Sequence, residues 1–138
     1  MRLVPVVAAA LLVVATLRLP AGGQSTSPSP QAARVSEGAT LYTRHCARCH
    51  GADGRGGGRD AAAMHFMPGD LTELAMENHG VFPAERMKQI IEGQGPAVHG
   101  TRLMPVWGDV FARSAAGGAR DRIDALVRYL ESIQRRPA

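Results

Sequence analysis

The chain contains two cysteines, three positions apart, and a histidine directly follows the second one in the run RHCARCHG, residues 44–51. These residue types at this spacing support three kinds of chemistry. Cys46 and Cys49 could form a redox-active dithiol, supply half of a zinc site, or anchor a cofactor covalently beside His50. The elements that must position the pair help to decide between the three.

The cysteine pair lies at the end of a predicted helix. Ser36 is the predicted N-cap of that helix. Beyond the pair, five glycines in the eight residues 51–58 prevent regular structure. The side chains that recur at helical spacing on one face are Tyr42, His45, Cys46 and Cys49. Both cysteines are therefore expected on one face at the end of the helix.

Two of the three chemistries fit this setting poorly. A structural zinc site usually pairs two short clusters of cysteine or histidine. This chain has no second cluster, although His65, His79 and His99 are possible ligands. A redox dithiol usually begins a helix that follows a strand, because the helix N-terminus lowers the thiol pKa. Here the pair ends a helix, and no strand pattern precedes it.

The third chemistry is covalent attachment of a c-type haem, for which Cys-x-x-Cys-His is the recognised signature. Two cysteines one helical turn apart can reach the two vinyl groups along one edge of a porphyrin, and the adjacent imidazole then turns toward the iron. The chain has only six aromatic side chains, so a buried macrocycle would also fill an otherwise thin core. The sequence therefore predicts one haem c, held by Cys46 and Cys49, with His50 as an axial ligand of the iron.

The N-terminal residues 1–23 have the layout of a secretory signal peptide, with an early Arg2, an uncharged apolar run and a small-residue end. The apolar run has 15 residues, whereas spanning a bilayer takes about 20. We expect cleavage and a soluble periplasmic protein, with retention of the segment as a membrane anchor as the alternative. Residues 24–33, rich in Ser, Pro, Gln and Ala, are expected to form a flexible linker ahead of one domain over residues 34–138.

The charge of the chain bears on its partners. The formal net charge is +4 and falls to +2 without Arg2 and Arg18, a balance that does not favour nucleic acid. Arginines cluster around the cysteines, which leaves open a docking patch for an acidic redox partner protein or a solvated charged loop. The clustered residues are Arg44, Arg48, Arg55 and Arg59.

The other periodic segments are also helical. A short helix is predicted over residues 73–78, a clearer one between Pro83 and Gly93, and another that Pro105 opens. The last helix has the most regular pattern and is expected to end by Pro137. Its apolar stripe consists of Ile123, Leu126, Val127, Leu130 and Ile133. The sequence predicts an all-α fold of three or four helices whose long loops wrap around a bound group.

From about residue 36 to residue 135 the chain resembles the class I c-type cytochromes with a single haem. The motifs that carry the resemblance are CARCHG at 46–51, MPGDLT at 67–72, FPAERMKQIIEGQ at 82–94 and HGTRLMPVWG at 99–108. The resemblance implies the small cytochrome c fold, in which a glycine of the first helix lets the last helix cross closely beside an aromatic pair. Gly38, Tyr42 and Tyr129 match those roles. A glycine inside a helix costs about 1 kcal/mol, and close approach of two backbones explains it.

Met104 is the predicted second axial ligand. It precedes Pro105, which restricts the backbone, and it follows a long loop that can carry the chain to the other haem face. In the related family a Met-Pro pair marks this ligand. Met87 is expected in the core and His99 in a loop. The remaining candidates lie in a region that resembles the family's loop on the His50 side: Met64, His65, Met67, Met76 and His79.

The residues around Pro68 depart from the related family. There, a proline carbonyl accepts a hydrogen bond from the ligand histidine, and a leucine follows two residues later. Here Pro68 and Leu71 are three residues apart, so either Pro68 or Gly69 is expected to supply the carbonyl. Arg102 is a candidate partner for a haem propionate, with a solvated arginine as the alternative.

The ligand set determines the expected function. With His50 and Met104 both bound to iron, we expect one-electron transfer, and an electron carrier rather than an enzyme. It would serve as a periplasmic shuttle in a respiratory chain, or as the electron-accepting subunit of an exported dehydrogenase, and exchange electrons with partner proteins. The alternative is a haem-based sensor or ligand-binding module in which Met104 is displaceable. The sequence supplies no distal acid-base group or second haem for a peroxidase.

Overall fold

The regular elements are helices throughout residues 27–65, 67–94, 104–113 and 118–135, which are the residues that the computed structural model describes. They are α1 (Pro30–His45), α2 (Ala47–His50), a 3-10 turn (Ala61–Ala63), α3 (Leu74–Glu77), α4 (Ala84–Glu92), α5 (Trp107–Ala112) and α6 (Ala119–Ser132). The predicted all-α class is confirmed. A long loop that contains the 3-10 turn separates α2 from α3, as expected, whereas residues 95–103 between α4 and α5 lie outside the described residues.

Helix α1 begins earlier than predicted. The Ser29 side chain caps it by accepting a 3.2 Å hydrogen bond from the Ala32 amide, and Pro30 occupies the first helical position. Ser36 lies inside α1, so its prediction as the N-cap is wrong. Residues 30–33, predicted as part of a flexible linker, form the first turn of α1. The Ser29–Pro30 pair supplies both start signals of a helix, although the segment lacks large apolar side chains.

The later helices follow their predicted patterns with small shifts. Helix α4 ends before Gly93 as predicted, but Pro83, predicted as its first residue, is its cap, and α3 falls within the predicted 73–78 segment. Helix α5 begins at Trp107 with Val106 as its cap, two residues after Pro105. Helix α6 ends at Ser132, five residues before Pro137, which lies outside the described residues.

Helix α6 is the centre of the packing, because it contacts α1, α4 and α5. Its apolar stripe is buried as predicted for Ile123, Leu126, Val127 and Leu130, while Ile133 packs against the core from its edge. Tyr42, Phe111 and Leu126 are the largest fully buried side chains of the described residues. One contiguous core thus connects the N-terminal, middle and C-terminal thirds of the domain.

The closest approach between helices occurs where α1 crosses α6. A Cβ atom added to Gly38 would lie 2.0 Å from the Ala125 carbonyl oxygen and 2.7 Å from Tyr129 Cβ. Beside this crossing the Tyr42 and Tyr129 rings pack with their centroids 5.1 Å apart. The roles that the resemblance implied for Gly38 and the two tyrosines are therefore confirmed.

Replacing Gly38 by alanine tests this crossing, because helix propensity and the close contact predict opposite changes in the free energy of unfolding. Helix propensity alone would make Gly38→Ala stabilising by about 1 kcal/mol. The backbone oxygen of Ala125 cannot rotate away as a side chain would, so we expect a net loss of about 1–3 kcal/mol in the free energy of unfolding. Denaturant titration of the holoprotein measures it, with Ser36→Ala on the exposed side of α1 as the control. A Gly38→Ala protein as stable as the wild type would contradict the close contact.

Candidate functional site

Cys46, Cys49 and His50 lie together within a single turn of helix. Cys46 is the C-cap of α1, and its amide donates to the Tyr42 carbonyl at 2.8 Å. The Cys46 carbonyl then accepts from the Cys49 amide at 3.1 Å and from the His50 amide at 2.9 Å, which starts α2. The predicted single helix is interrupted at Cys46. The backbone nevertheless holds both thiols and the imidazole within one turn.

The two cysteines are half-buried, unpaired thiols. Cys46 packs against the hydrophobic core, and burial, followed by the nearby Cys49, raises the pKa of Cys46 to about 12. Redox-active dithiols instead depend on a lowered thiol pKa. Two free thiols beside an imidazole are the donor set that two thioether bonds and one iron ligand require, so these residues fit haem attachment.

His65 and His79, the described histidines considered as zinc ligands, form no metal-binding group with the thiols. Within the described ranges, no group of three or more His, Cys, Asp or Glu side chains is placed to hold a metal ion. His65 and His79 are exposed, and His99 lies outside the described residues.

The His50 imidazole faces a backbone carbonyl of the loop over residues 67–71, named here the proximal loop. His50 Nδ1 lies 3.4 Å from the Gly69 carbonyl oxygen, at the long end of the hydrogen-bond range. When Nδ1 carries the proton and donates to this oxygen, Nε2 presents its lone pair to a metal. Of the two carbonyls left open by the sequence, the structure brings that of Gly69 to His50.

The glycine-rich loop after α2 holds the proximal loop in place through its backbone. Gly56 has a φ of 85°, and a Cβ atom on it would lie 2.1 Å from the Pro68 carbonyl oxygen. The Gly56 amide donates to the His50 carbonyl at 2.8 Å, and the Gly54 carbonyl accepts from the Leu71 amide at 2.7 Å. The glycines therefore let two backbone segments touch, directly beside His50.

Tyr42 connects this loop to the core. Its hydroxyl donates a 2.7 Å hydrogen bond to the Gly51 carbonyl. Burial, followed by the neighbouring Cys46, raises the pKa of Tyr42 well above its usual value, so the hydroxyl stays protonated and keeps donating. Tyr42 thus bonds the residue that ends α2 and also packs against Tyr129 at the α1–α6 crossing.

Met104 lies at a different junction, between α4 and α5. It is half-buried and stands two residues before Val106, the cap of α5. A Cβ atom on Gly93 would lie 2.6 Å from Val106 Cγ1, so the start of α5 rests against the end of α4. Residues 95–103, including Arg102, lie outside the described residues. The role of Met104 as an iron ligand stays a prediction.

The other methionines occupy distinct environments. Met87 is buried in the core on α4, as expected. Met64 is half-buried at the end of the 3-10 turn, whereas Met67 and Met76 are exposed.

An aromatic cluster at His45 joins the end of α1 to α5, and no local pattern in the sequence indicates it. The His45 ring lies 5.0 Å from the Trp107 ring and 5.4 Å from the Phe111 ring, measured between centroids. Burial, then the charges of Arg44 and Arg122, lower the pKa of His45. His45 directly precedes Cys46, and Trp107 follows Met104 by three residues. The helical spacing of Trp107 and Phe111 was visible in the sequence, but their partner on α1 was not.

The arginine cluster around the cysteines is partly neutralised by neighbouring aspartates. Arg48 and Arg59 pair with Asp60 at 2.8 and 3.5 Å, and Arg55 pairs with Asp53 at 4.0 Å. These arginines are exposed, so each pair adds little stability, about 0–1 kcal/mol. Asp70 also lies near Arg55, so with Arg44, which is exposed on α1 two residues before Cys46, the four arginines exceed the three neighbouring aspartates by one charge.

Comparison with known proteins gives one finding on the family. A family model described as Cytochrome C oxidase, cbb3-type, subunit III matches residues 33–130. No curated protein and no solved structure matches the chain significantly. Within the part of the chain that the structure describes, no helix has the length and apolar character needed to cross a membrane.

Proposed function

This chain belongs to the family Cytochrome C oxidase, cbb3-type, subunit III, and from this membership we propose that it is a periplasmic electron carrier with a single haem. The family's domain is a c-type cytochrome domain with the small all-α cytochrome c fold, covalent haem c and an electron-transfer role. The observation that carries the finer proposal is the turn that holds Cys46, Cys49 and His50 together, with the Gly69 carbonyl at the imidazole. The chain has only these two cysteines, which provide for one haem.

Each residue of the site has a distinct part in the proposed mechanism. Cys46 and Cys49 would hold the ring through thioether bonds, and His50 and Met104 would bind the iron. Haem supplies the one-electron exchange between Fe(III) and Fe(II) when bound. The Gly69 carbonyl orients the imidazole, and the core around Cys46 keeps water from one edge of the site. If His50 and Met104 both bind the iron, no position on it would remain for a substrate.

The proposed location rests on the family and on the sequence. Cytochrome c domains are typically exported, and residues 1–23 have the layout of a signal peptide. These residues lie outside the described ranges. We propose that they are removed, so that the carrier moves freely between a donor and an acceptor protein in a respiratory chain or next to an exported dehydrogenase.

The proposed redox partners have acidic docking surfaces. The excess positive charge near Cys46 and Cys49 is the support for this proposal, since the cysteines mark the edge where a haem would be attached. Complementary charge mainly increases the rate of encounter and fixes its orientation.

Replacing Met104 distinguishes an electron carrier from a haem sensor. In the wild-type holoprotein we expect the weak far-red absorption of methionine-ligated ferric haem and slow binding of carbon monoxide to the reduced form. In Met104→Ala we expect loss of that absorption, rapid carbon monoxide binding and a lower midpoint potential, because a thioether ligand favours reduced iron. Met76→Leu, at an exposed methionine, is the control and should behave as the wild type. A wild-type protein that already binds carbon monoxide rapidly supports the sensor function instead.

Salt dependence tests the proposed docking charge. The rate of electron exchange with a small, strongly acidic redox protein should fall several-fold as ionic strength rises from 0.01 to 0.15 M, because the Debye length shortens from about 30 to about 8 Å. Arg44→Glu should lower the rate at low salt, whereas Arg128→Glu, an equal charge change on the exposed side of α6, should not. A rate that is independent of salt, or equal losses in both variants, would exclude a docking role for this surface.

A further inference from the structure

The side chain of Gln134 joins the residues after α6 to residues 71–75, where the proximal loop ends and α3 begins. Its Nε2 donates to the Leu71 and Leu130 carbonyls, at 2.7 Å each, and its Oε1 accepts from the Ala75 amide at 2.9 Å. The amide thus uses both N–H groups and its oxygen. Reversing it would place oxygen against two carbonyls, so a single orientation satisfies all three partners.

This contact fixes Leu71 from both sides. The Leu71 amide donates to the Gly54 carbonyl at 2.7 Å, while its carbonyl accepts from Gln134. Between Gly69 and this anchored residue stands Asp70, whose carboxylate accepts from the Thr72 amide at 2.8 Å and from the Thr72 hydroxyl at 2.6 Å. Only Asp70, which its bonds to Thr72 hold in a turn, separates Gly69 from the anchored Leu71.

The residue after Gln134 reinforces the same connection. The Arg135 amide donates to the Thr72 carbonyl at 2.8 Å, and the Arg135 side chain pairs with Glu73. Residues 134–135 thus hold residues 71–75 through backbone and side-chain contacts across about 60 positions of sequence. These contacts also end α6, because the Gln134 side chain takes the Leu130 carbonyl that a continuing helix would have bonded.

We propose that Gln134 is a positioning residue that sets the hydrogen bond between the Gly69 carbonyl and His50, and thereby the midpoint potential of the bound haem. The inference rests on the proposed function of the site as a haem-bearing electron carrier. A carbonyl that accepts from Nδ1–H makes a ligating imidazole more basic, which favours oxidised iron. At 3.4 Å the contact is at the limit of a hydrogen bond, so a small outward shift of the proximal loop breaks it.

Two variants of Gln134 test the proposal in the holoprotein. Gln134→Met keeps the length of the side chain without its hydrogen bonds, and Gln134→Ala lets water reach the freed backbone groups. In both we expect a more positive midpoint potential in redox titration. We also expect faster solvent exchange of the His50 Nδ1 proton, followed by NMR of the reduced protein labelled with ¹⁵N-histidine. Neither change is expected from a residue that only stabilises the fold.

Ile123→Val is the matched control, because Ile123 is buried on α6, the helix that ends two residues before Gln134, and takes part in none of these hydrogen bonds. It should lower the stability while leaving the potential and the proton exchange at wild-type values. Wild-type potential and exchange in both Gln134 variants, or equal shifts in Ile123→Val, would overturn the positioning role. A wild-type chain that carries no covalent haem would instead show that the proposed function itself is wrong, and the positioning role with it.

Discussion

The contact of two backbones at Gly38 and Ala125 is the constraint on which the site depends. Helix α1 continues from this crossing to His45, where the Cys46 cap begins the turn that holds both thiols and the imidazole. Helix α6 continues from the same crossing to Ser132, and Gln134, two residues beyond, anchors the loop on the other side of that imidazole. His50 is therefore placed between two elements whose separation is set at one point. A change at the crossing displaces both together, without altering any residue that would touch the haem.

The loops around the site are held mainly by backbone hydrogen bonds. The Gly54 carbonyl bonds the Leu71 amide, and Gly56 lies against the Pro68 carbonyl where no side chain would fit. Glycine makes such contacts possible because backbone can approach backbone directly. In a domain with few aromatic side chains, this arrangement fixes the carbonyl that faces His50.

Local signals in the sequence predicted the helices well, and contacts between distant residues poorly. Helices α4 and α6 follow their apolar periodicity, and the resemblance identified the role of Gly38 correctly. The start of α1 was misplaced because Ser29 and Ser36 both qualify as caps, and the Ser29 side chain makes the bond. The choice between Pro68 and Gly69 depended on loop geometry that no periodic pattern encodes. Gln134 and His45 act through partners about 60 residues away, so their roles had no local signature.

The most direct test of haem attachment is the intact mass of the chain produced in an exporting host with haem-attachment enzymes, followed by peptide mapping. Wild-type protein should carry the mass of one haem on the peptide containing Cys46 and Cys49, and the double variant Cys46→Ser/Cys49→Ser should carry none. A wild-type chain with the bare polypeptide mass, or with a disulfide between these two cysteines, would contradict its assignment as a single-haem electron carrier.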